Sequence, residues 1–397
     1  MINSQKNTTL KSDDKYKKVF SIIIILYPIL NRYASVIPML TLSETLIFLF
    51  LIYSFFKKRI HPVKIFIPFV IYLGFLVVYY IISGSNNEEN QDNIGTILRL
   101  IFLYVSITFL GKGFINGKFA IKWLNIIAIL MVCYVILQSI AAKFGIYLTT
   151  YIPGLPIMAE DRDLYILEQQ QKYGSTYRAY GLLNEPAALS CYLFLPLAIN
   201  LFSKINIPDR IRKALFISLG CLICMSSTGI LMCGLAWGSF IFFNPSKNTK
   251  KYKKYAIAAI LLSIIIIPHT VIWETFVERT LGGSLSSIDL QNNTRLNALD
   301  VIKDMVTNMN LSNILLGFGM ASTIFYLPGF FRVLYTLGLC GFVIVIIQFY
   351  YLYRNRNFLQ KKLVLFYIIL NIGTEILLGN FAVYYLTFIL ANKKEIY

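Results

Sequence analysis

The chain has 397 residues, of which 57% are hydrophobic and only 14% charged, with a mean hydropathy of +0.65 and a formal net charge of +18. A soluble domain carries roughly 25% charged residues, so a chain this apolar cannot cover itself with polar surface and needs lipid as part of its solvent. The positive charge sits in short loops between apolar runs, the positive-inside pattern, and this excludes a nucleic-acid-binding role.

A helix rises 1.5 Å per residue, so about 20 apolar residues cross the roughly 30 Å hydrocarbon core. In lipid the backbone must satisfy its own hydrogen bonds, and uninterrupted apolar runs fit helices rather than the alternating strands of a barrel. Residues 1–18 are polar, and no small-residue cleavage site precedes Arg32. The run at 19–37 is therefore expected to be a permanent first helix rather than a signal peptide. A tight turn at Ile37-Pro38 leads to a second segment, 40–56, closed by Lys57-Lys58-Arg59. Segment three is 65–82, followed by a polar loop from Ser83 to Asn93, then segment four, 95–110, and segment five, 123–142. Residues 143–185 are too polar to span. Segment six is 186–203. Segments seven (214–226) and eight (229–243) form a short hairpin around Ser226-Ser227-Thr228-Gly229, and segment nine is 255–272. A second long polar stretch covers 273–331. Segment ten is 332–352, and segments eleven (363–378) and twelve (381–392) form a last hairpin.

Placing alternate loops in the cytoplasm, starting with the N-terminus, puts 27 of the 37 basic residues inside but only 4 of the 19 acidic ones. Shifting the count by one helix would reverse that bias, so the orientation is N-in and C-in. The expected fold is a single all-α polytopic membrane bundle over residues 1–397 with about twelve transmembrane helices. It carries two large outer loops, 143–185 and 273–331. No internal repeat and no matched pair of broken helices is visible, which disfavours a repeat-built transporter.

Long loops without regular structure tend to be functional or disordered. These two contain aromatics, prolines and mixed charge, so they can pack over the helices. The first runs into segment six through Tyr177-Arg178-Ala179-Tyr180-Gly181-Leu182-Leu183-Asn184-Glu185-Pro186. A helix start accounts for part of this: Asn184 caps, Pro186 fills the first turn and Glu185 suits the positive end of the dipole. It leaves Arg178 unexplained. The six cysteines all lie in apolar runs. Cys221 and Cys224 have CxxC spacing but no nearby His or second pair, so they read as small apolar residues and no metal is expected.

The pattern Arg-x-x-Gly-x-x-x-Glu-Pro (Arg178, Gly181, Glu185, Pro186) resembles the segment after the first large periplasmic loop of O-antigen polymerases, the Wzy family. Three further features are similar to that family. The two large outer loops follow segments five and nine, and a small-polar turn lies at 226–229. Asn293-Thr294-Arg295-Leu296 is followed by Leu315-Leu316-Gly317-Phe318-Gly319. The chain departs from the Arg-x10-Gly pattern of some members, since Leu189 and Val306 stand at the glycine positions. The resemblance implies a GT-C-like architecture, related to O-antigen ligases, in a bacterial inner membrane. It implies a glycosyltransferase that polymerises oligosaccharide repeat units carried on undecaprenyl diphosphate, as donor and acceptor, into O-antigen or capsular polysaccharide. Membrane lipids, a chain-length regulator and a flippase are the partners it brings with it.

Such a reaction needs cations for the diphosphate leaving group, and arginine forks bind phosphate oxygens in a bidentate way. Arg178 and Arg295 are the first choices, with Arg279 third. Arg162, Lys172 and Arg332 belong to the same basic set, and Arg99 lies near enough to the outer face to join it. The acceptor hydroxyl needs a general base, for which Glu185 is chosen. Neither loop carries an Asp-x-Asp motif, so the expected reaction is metal-independent and without cofactor. Arg32 reads as a snorkelling side chain at a span end, and Glu44 and Glu375 as carboxylates near outer ends that reach headgroup water or a partner. His269 precedes the second loop and reads as part of an ordinary helix end, with a catalytic base in a ligase-like reaction as its functional alternative. An O-antigen ligase is the nearest rival, and ligases typically use a second-loop histidine that 273–331 lacks. A flippase is the rival from a different class, with its site near the midplane, where these segments are nearly free of charge.

Overall fold

The computed structural model describes residues 2–38, 40–57, 62–84, 88–158, 177–203, 207–243, 310–320, 327–354 and 356–391, with Lys254, Ile257, Lys303, Met305 and Thr307 singly. Among them the chain is all-helical, with two isolated β-bridges and no strand. The helices are α1 (Ile2–Leu30), α2 (Leu42–Phe56), α3 (Ile67–Gly84), α4 (Glu88–Leu110), α5 (Gly117–Lys143), α6 (Pro186–Phe202), α7 (Arg210–Ile223), α8 (Ser227–Phe243), α9 (Leu311–Leu316), α10 (Gly329–Arg354), α11 (Phe358–Gly373) and α12 (Asn380–Leu390). Four are long and apolar enough to cross a membrane: the 20-residue stretch Lys64–Ser83, which includes a 3-10 turn leading into α3, Gln91–Leu110 of α4, α5 and α10. The apolar helices α2, α6, α8 and α12 have 10–17 residues. They are shorter than a straight crossing requires.

Several boundaries depart from the sequence pattern. The first segment ends at Leu30 rather than 37, because α2 starts with its own capping box. Thr41 N donates to Glu44 Oε2 (2.9 Å) and Glu44 N to Thr41 Oγ1 (3.2 Å). These reciprocal bonds satisfy two orphan donors of the helix start, so Glu44 is fully buried at a cap and not reaching for headgroup water. The acidic loop after α3 is instead helical from residue 88 onward and forms the start of α4. Segment eleven stops at Gly373, and Thr374 to Gly379 form an irregular connection. Segment nine lies outside the described residues, apart from Ile257.

The chain divides into two compact units: Met1–Ile24, Ile47–Gly117 and Leu290–Glu395 form the first, and Ile25–Leu46, Lys118–Asp289 and Ile396–Tyr397 the second. In the first unit α3 packs on α4, and α10 on α3, α9 and α11. α10 is broken in mid-run at Gly338 (φ 66°, ψ −174°). The break frees three carbonyls, and each finds a donor. Phe318 N donates to Tyr335 O (3.0 Å), Gly319 N to Thr336 O (3.1 Å) and Tyr72 Oη to Leu337 O (2.5 Å). An interrupted ladder at membrane depth must be satisfied by neighbouring protein in this way.

In the second unit α6 is almost wholly buried and packs on α7 and α8. Asn200 Nδ2 donates to Asn125 Oδ1 (2.5 Å), tying α6 to α5 across an apolar interior. Gly220 lets α7 approach Val132 of α5 and Leu193 of α6.

Candidate functional site

The segment 177–186 enters α6 in the second unit. Pro186 occupies the first helical position and forces the preceding residue to be extended, so Glu185 (φ −153°, ψ 161°) becomes the cap residue. Its side chain makes no capping bond, and both Asn184 and Glu185 are exposed. The expected capping by Asn184 is thus replaced by a proline-led start with an exposed carboxylate beside it. The positive end of the helix favours a negative charge there.

Arg178 does the opposite. It is 6% exposed, and its Nη2 donates to Met225 O (3.0 Å). Met225 is one of two described non-glycine residues with positive φ (47°). The left-handed backbone that closes the α7–α8 turn therefore aims a carbonyl at the guanidinium, at a cost of about 1–2 kcal/mol. Beneath this contact Ser190 Oγ accepts from or donates to Cys224 Sγ (3.2 Å) and donates to Pro186 O (3.0 Å). A Cβ on Gly229 would run into Ser190. The arginine motif and the small-polar turn, distant in sequence, are thereby packed together. Cys221 and Cys224 are buried in that packing as free thiols.

Gly181 explains the glycine of the motif. Its φ is +65°, and Gln138 of α5 reads its backbone on both sides: Gly181 N donates to Gln138 Oε1 (2.9 Å) and Gln138 Nε2 donates to Gly181 O (3.2 Å). A Cβ there would stand 2.9 Å from Met131 Cε.

Arg32 is the residue that sequence reasoning misjudged. It does not snorkel: it is 6% exposed, and Nη1 donates to Thr150 O (2.6 Å) and Leu183 O (2.9 Å). Nearby, Met158 N donates to Arg32 O, Ala34 N to Pro156 O and Ile152 N to Tyr33 Oη. Arg32 and its neighbours therefore bind both ends of the first polar stretch. The clue in the sequence was an arginine just after an apolar run, which has the same appearance whether it snorkels or staples. Tyr33, Tyr177 and Tyr180 line the same region, and burial pushes all three phenols above their ordinary range. The Tyr177 ring lies 5.5 Å from that of Tyr147.

In the first unit Gly317-Phe318-Gly319 docks on the break in α10 and serves the packing there. Arg332 forms an ion pair with Glu375, so each reaches a partner rather than open water. Arg99 is exposed on α4. Arg162, Lys172, His269, Arg279, Arg295 and the Asn293–Leu296 motif lie outside the described residues. Among the described residues no group of three or more His, Cys, Asp or Glu is placed to hold a metal ion. No family model, no curated protein and no solved structure matches this chain.

Proposed function

We propose that this protein is a membrane glycosyltransferase that polymerises undecaprenyl-diphosphate-linked oligosaccharide repeat units on the periplasmic face of a bacterial inner membrane. The proposal includes about twelve spans with both ends inside, and both long polar stretches outside. One observation carries it. The Arg-x-x-Gly-x-x-x-Glu-Pro motif and the Ser-Ser-Thr-Gly turn come together around a buried arginine, Arg178, with an exposed carboxylate, Glu185, at the adjoining helix start. Neither helix capping nor lipid-facing packing calls for a guanidinium in that position, and buried charge in a membrane protein is expensive enough to be a functional signal.

In the proposed step the acceptor sugar hydroxyl attacks the anomeric carbon of the donor chain. Glu185 takes the hydroxyl proton as the new C–O bond forms. The bond from the anomeric carbon to the diphosphate breaks, and the diphosphate leaves with the electron pair. Arg178 and Arg295, with Arg279, stabilise the charge that develops on it. No metal or cofactor is required in this reading.

The test is incubation of purified protein with a defined lipid-linked repeat unit and gel analysis of the products. Ladders of increasing length are expected, and they should be lost in Arg178→Ala, Glu185→Ala and Arg295→Ala without loss of membrane protein. Wild-type ladders from Glu185→Ala would remove it from the basic role. Transfer to a lipid A core acceptor instead of elongation would make the protein a ligase. Movement of lipid-linked sugar across vesicles without elongation would make it a flippase.

A further inference from the structure

The connection between α10 and α11 carries a basic cluster, Arg354, Arg356, Lys361 and Lys362, with no acid to balance it. Among the described residues from 327 to 391 the one acidic side chain is Glu375, beyond the far end of α11, about 24 Å away along a 16-residue helix. The turn itself is firmly held. Asn357 Oδ1 accepts from Gln360 N (2.8 Å) and Gln360 Oε1 accepts from Asn357 N (3.4 Å), which makes a capping box. Gln360 is fully buried and donates through Nε2 to Ala391 O (2.7 Å). In a boxed helix start the side chain just before the cap and the one at the fourth helical position are neighbours, and usually both are apolar. Here those two positions hold Arg356 and Lys361.

Arg356 is half-buried. Its Nε is enclosed and out of reach of any ligand. Its two Nη groups are not enclosed, and no hydrogen bond or ion pair among the described residues occupies them. Burial pulls the guanidinium below its ordinary range, and no carboxylate opposes the effect. Lys361 Nζ stands 5.3 Å from the centre of the Tyr353 ring, so its ammonium is turned toward the end of α10. Charges withdrawn from water are normally paired. Two cations at neighbouring positions without a carboxylate call for an anion from outside the chain. The surroundings narrow its kind. Tyr350, Tyr351 and Tyr353 are exposed on α10, and phenols suit the headgroup level of a bilayer. On α11 Leu365 and Ile372 are exposed and Ile368 is half-buried, and the spacing 361, 365, 368, 372 sets them on one helix face. An open apolar lane therefore starts at Lys361. An anion that carries an acyl chain fits both parts, whereas inorganic phosphate fits only the cations. A zwitterionic headgroup brings its own cation, which Arg356 and Lys361 repel.

We propose that Arg356 and Lys361, with Lys362 beside them, bind the headgroup phosphate of an anionic phospholipid whose acyl chain lies along the open face of α11. The guanidinium fork takes two phosphate oxygens through its Nη groups, and the ammonium adds a point charge. The site lies in the first unit alone and is independent of the glycosyl-transfer reading.

The experiment uses the full-length protein in detergent, read by thermal unfolding, with dioctanoyl phosphatidylglycerol, dioctanoyl phosphatidylcholine and inorganic phosphate as separate probes. A lipid at ten times its dissociation constant raises the folded-to-unfolded ratio about elevenfold. Phosphatidylglycerol is expected to protect the wild type, and the other two probes at the same concentration are not. The protection should be lost in Arg356→Leu and in Lys361→Gln. Without lipid, Arg356→Leu should unfold at or above the wild-type temperature, because it removes a partly desolvated charge and supplies the apolar side chain that the position usually holds. The pair Lys57→Gln with Lys118→Gln removes two exposed charges elsewhere and should keep the protection. Equal protection by inorganic phosphate would make this a free-phosphate site and overturn the lipid assignment. Equal protection by phosphatidylcholine, its retention in Arg356→Leu or Lys361→Gln, or its loss in the control pair overturns the site. So does an Arg356→Leu protein that melts well below the wild type before lipid is added, since the guanidinium would then be a structural group.

Discussion

Replacing Gly338 by alanine tests whether the break in α10 is a designed docking point. At φ 66° and ψ −174° the residue occupies a region that is essentially glycine-only, and a side chain there costs about 1–3 kcal/mol. The added Cβ would also stand 2.5 Å from Gly317 N, and that neighbour is backbone, so it cannot rotate away. Relief requires the 315–319 segment to lift. That removes the bonds from Phe318 N and Gly319 N, which contribute about 0.5–1.5 kcal/mol each when intact and cost more if the freed carbonyls stay dry. The expected loss is about 3–6 kcal/mol, against a total stability of about 5–15 kcal/mol for an ordinary domain. The assay is thermal unfolding in detergent followed by size-exclusion chromatography, with Gly74→Ala in α3 as the control. Nothing lies within 4 Å of a Cβ at Gly74. Its replacement should be neutral or stabilise by up to about 1 kcal/mol through the better helix propensity of alanine. If Gly338→Ala unfolds with the wild type, the left-handed break and its docked loop are not what holds the first unit's α9 against α10.

Arg32→Ala should cost about 2–3 kcal/mol by leaving Thr150 O and Leu183 O without their charged donor. Limited proteolysis should cut faster within 143–185, whereas a snorkelling arginine would leave both readouts unchanged. Met225→Gly should stay within about 1 kcal/mol of the wild type in a thermal melt, since relief of the left-handed strain offsets lost side-chain contacts, and the carbonyl that meets Arg178 is kept. A drop of several kcal/mol would mean that the side chain, not the turn, matters. Glu375 lies in the 374–379 connection, and burial raises its carboxyl above the usual 4.5 even against the lowering effect of Arg332. With a raised folded value the native state binds the extra proton. The stabilisation it brings is therefore fully present below pH 4.5 and lost as pH rises through the folded value. Acidification through that window should stabilise the wild type relative to Glu375→Gln; parallel stability–pH curves would refute it.

The helices were legible because apolar runs and basic loops are long-range signals. Segments at 40–56, 65–82, 186–203 and 229–243 match α2, α3, α6 and α8 to within a few residues. Boundaries failed where a local cap overrode hydropathy. Thr41-Leu42-Ser43-Glu44 is a capping box by spacing, yet a hydropathy reading passes over it and extends the first segment through an arginine-bearing turn. The break at Gly338 was invisible for a different reason. A glycine inside an apolar helix is ordinary in sequence, and only the meeting with Gly317, distant along the chain, shows that both positions need to lack a Cβ.

The same limit separates the two arginines of the second unit. Arg178 could be singled out because Gly181, Glu185 and Pro186 stand at fixed offsets from it, and each offset has a physical reason. Gly181 makes a left-handed turn gripped by Gln138, Glu185 presents an exposed carboxylate, and Pro186 starts the helix. Arg32 has no such local company, since its partners Thr150 and Leu183 are carbonyls and carry no side-chain signature. A guanidinium that bonds main-chain oxygens leaves no trace in the pattern of residues around it. Yet Arg32 holds the turn that delivers Arg178 and Glu185 to α6, because Leu183 sits between them. On the proposed polymerase reading, removal of Arg32 should therefore weaken chain extension together with stability, whereas Arg178→Ala should weaken extension and leave the melting temperature nearer the wild type. That split is what distinguishes a residue that orders the loop from one that meets the substrate.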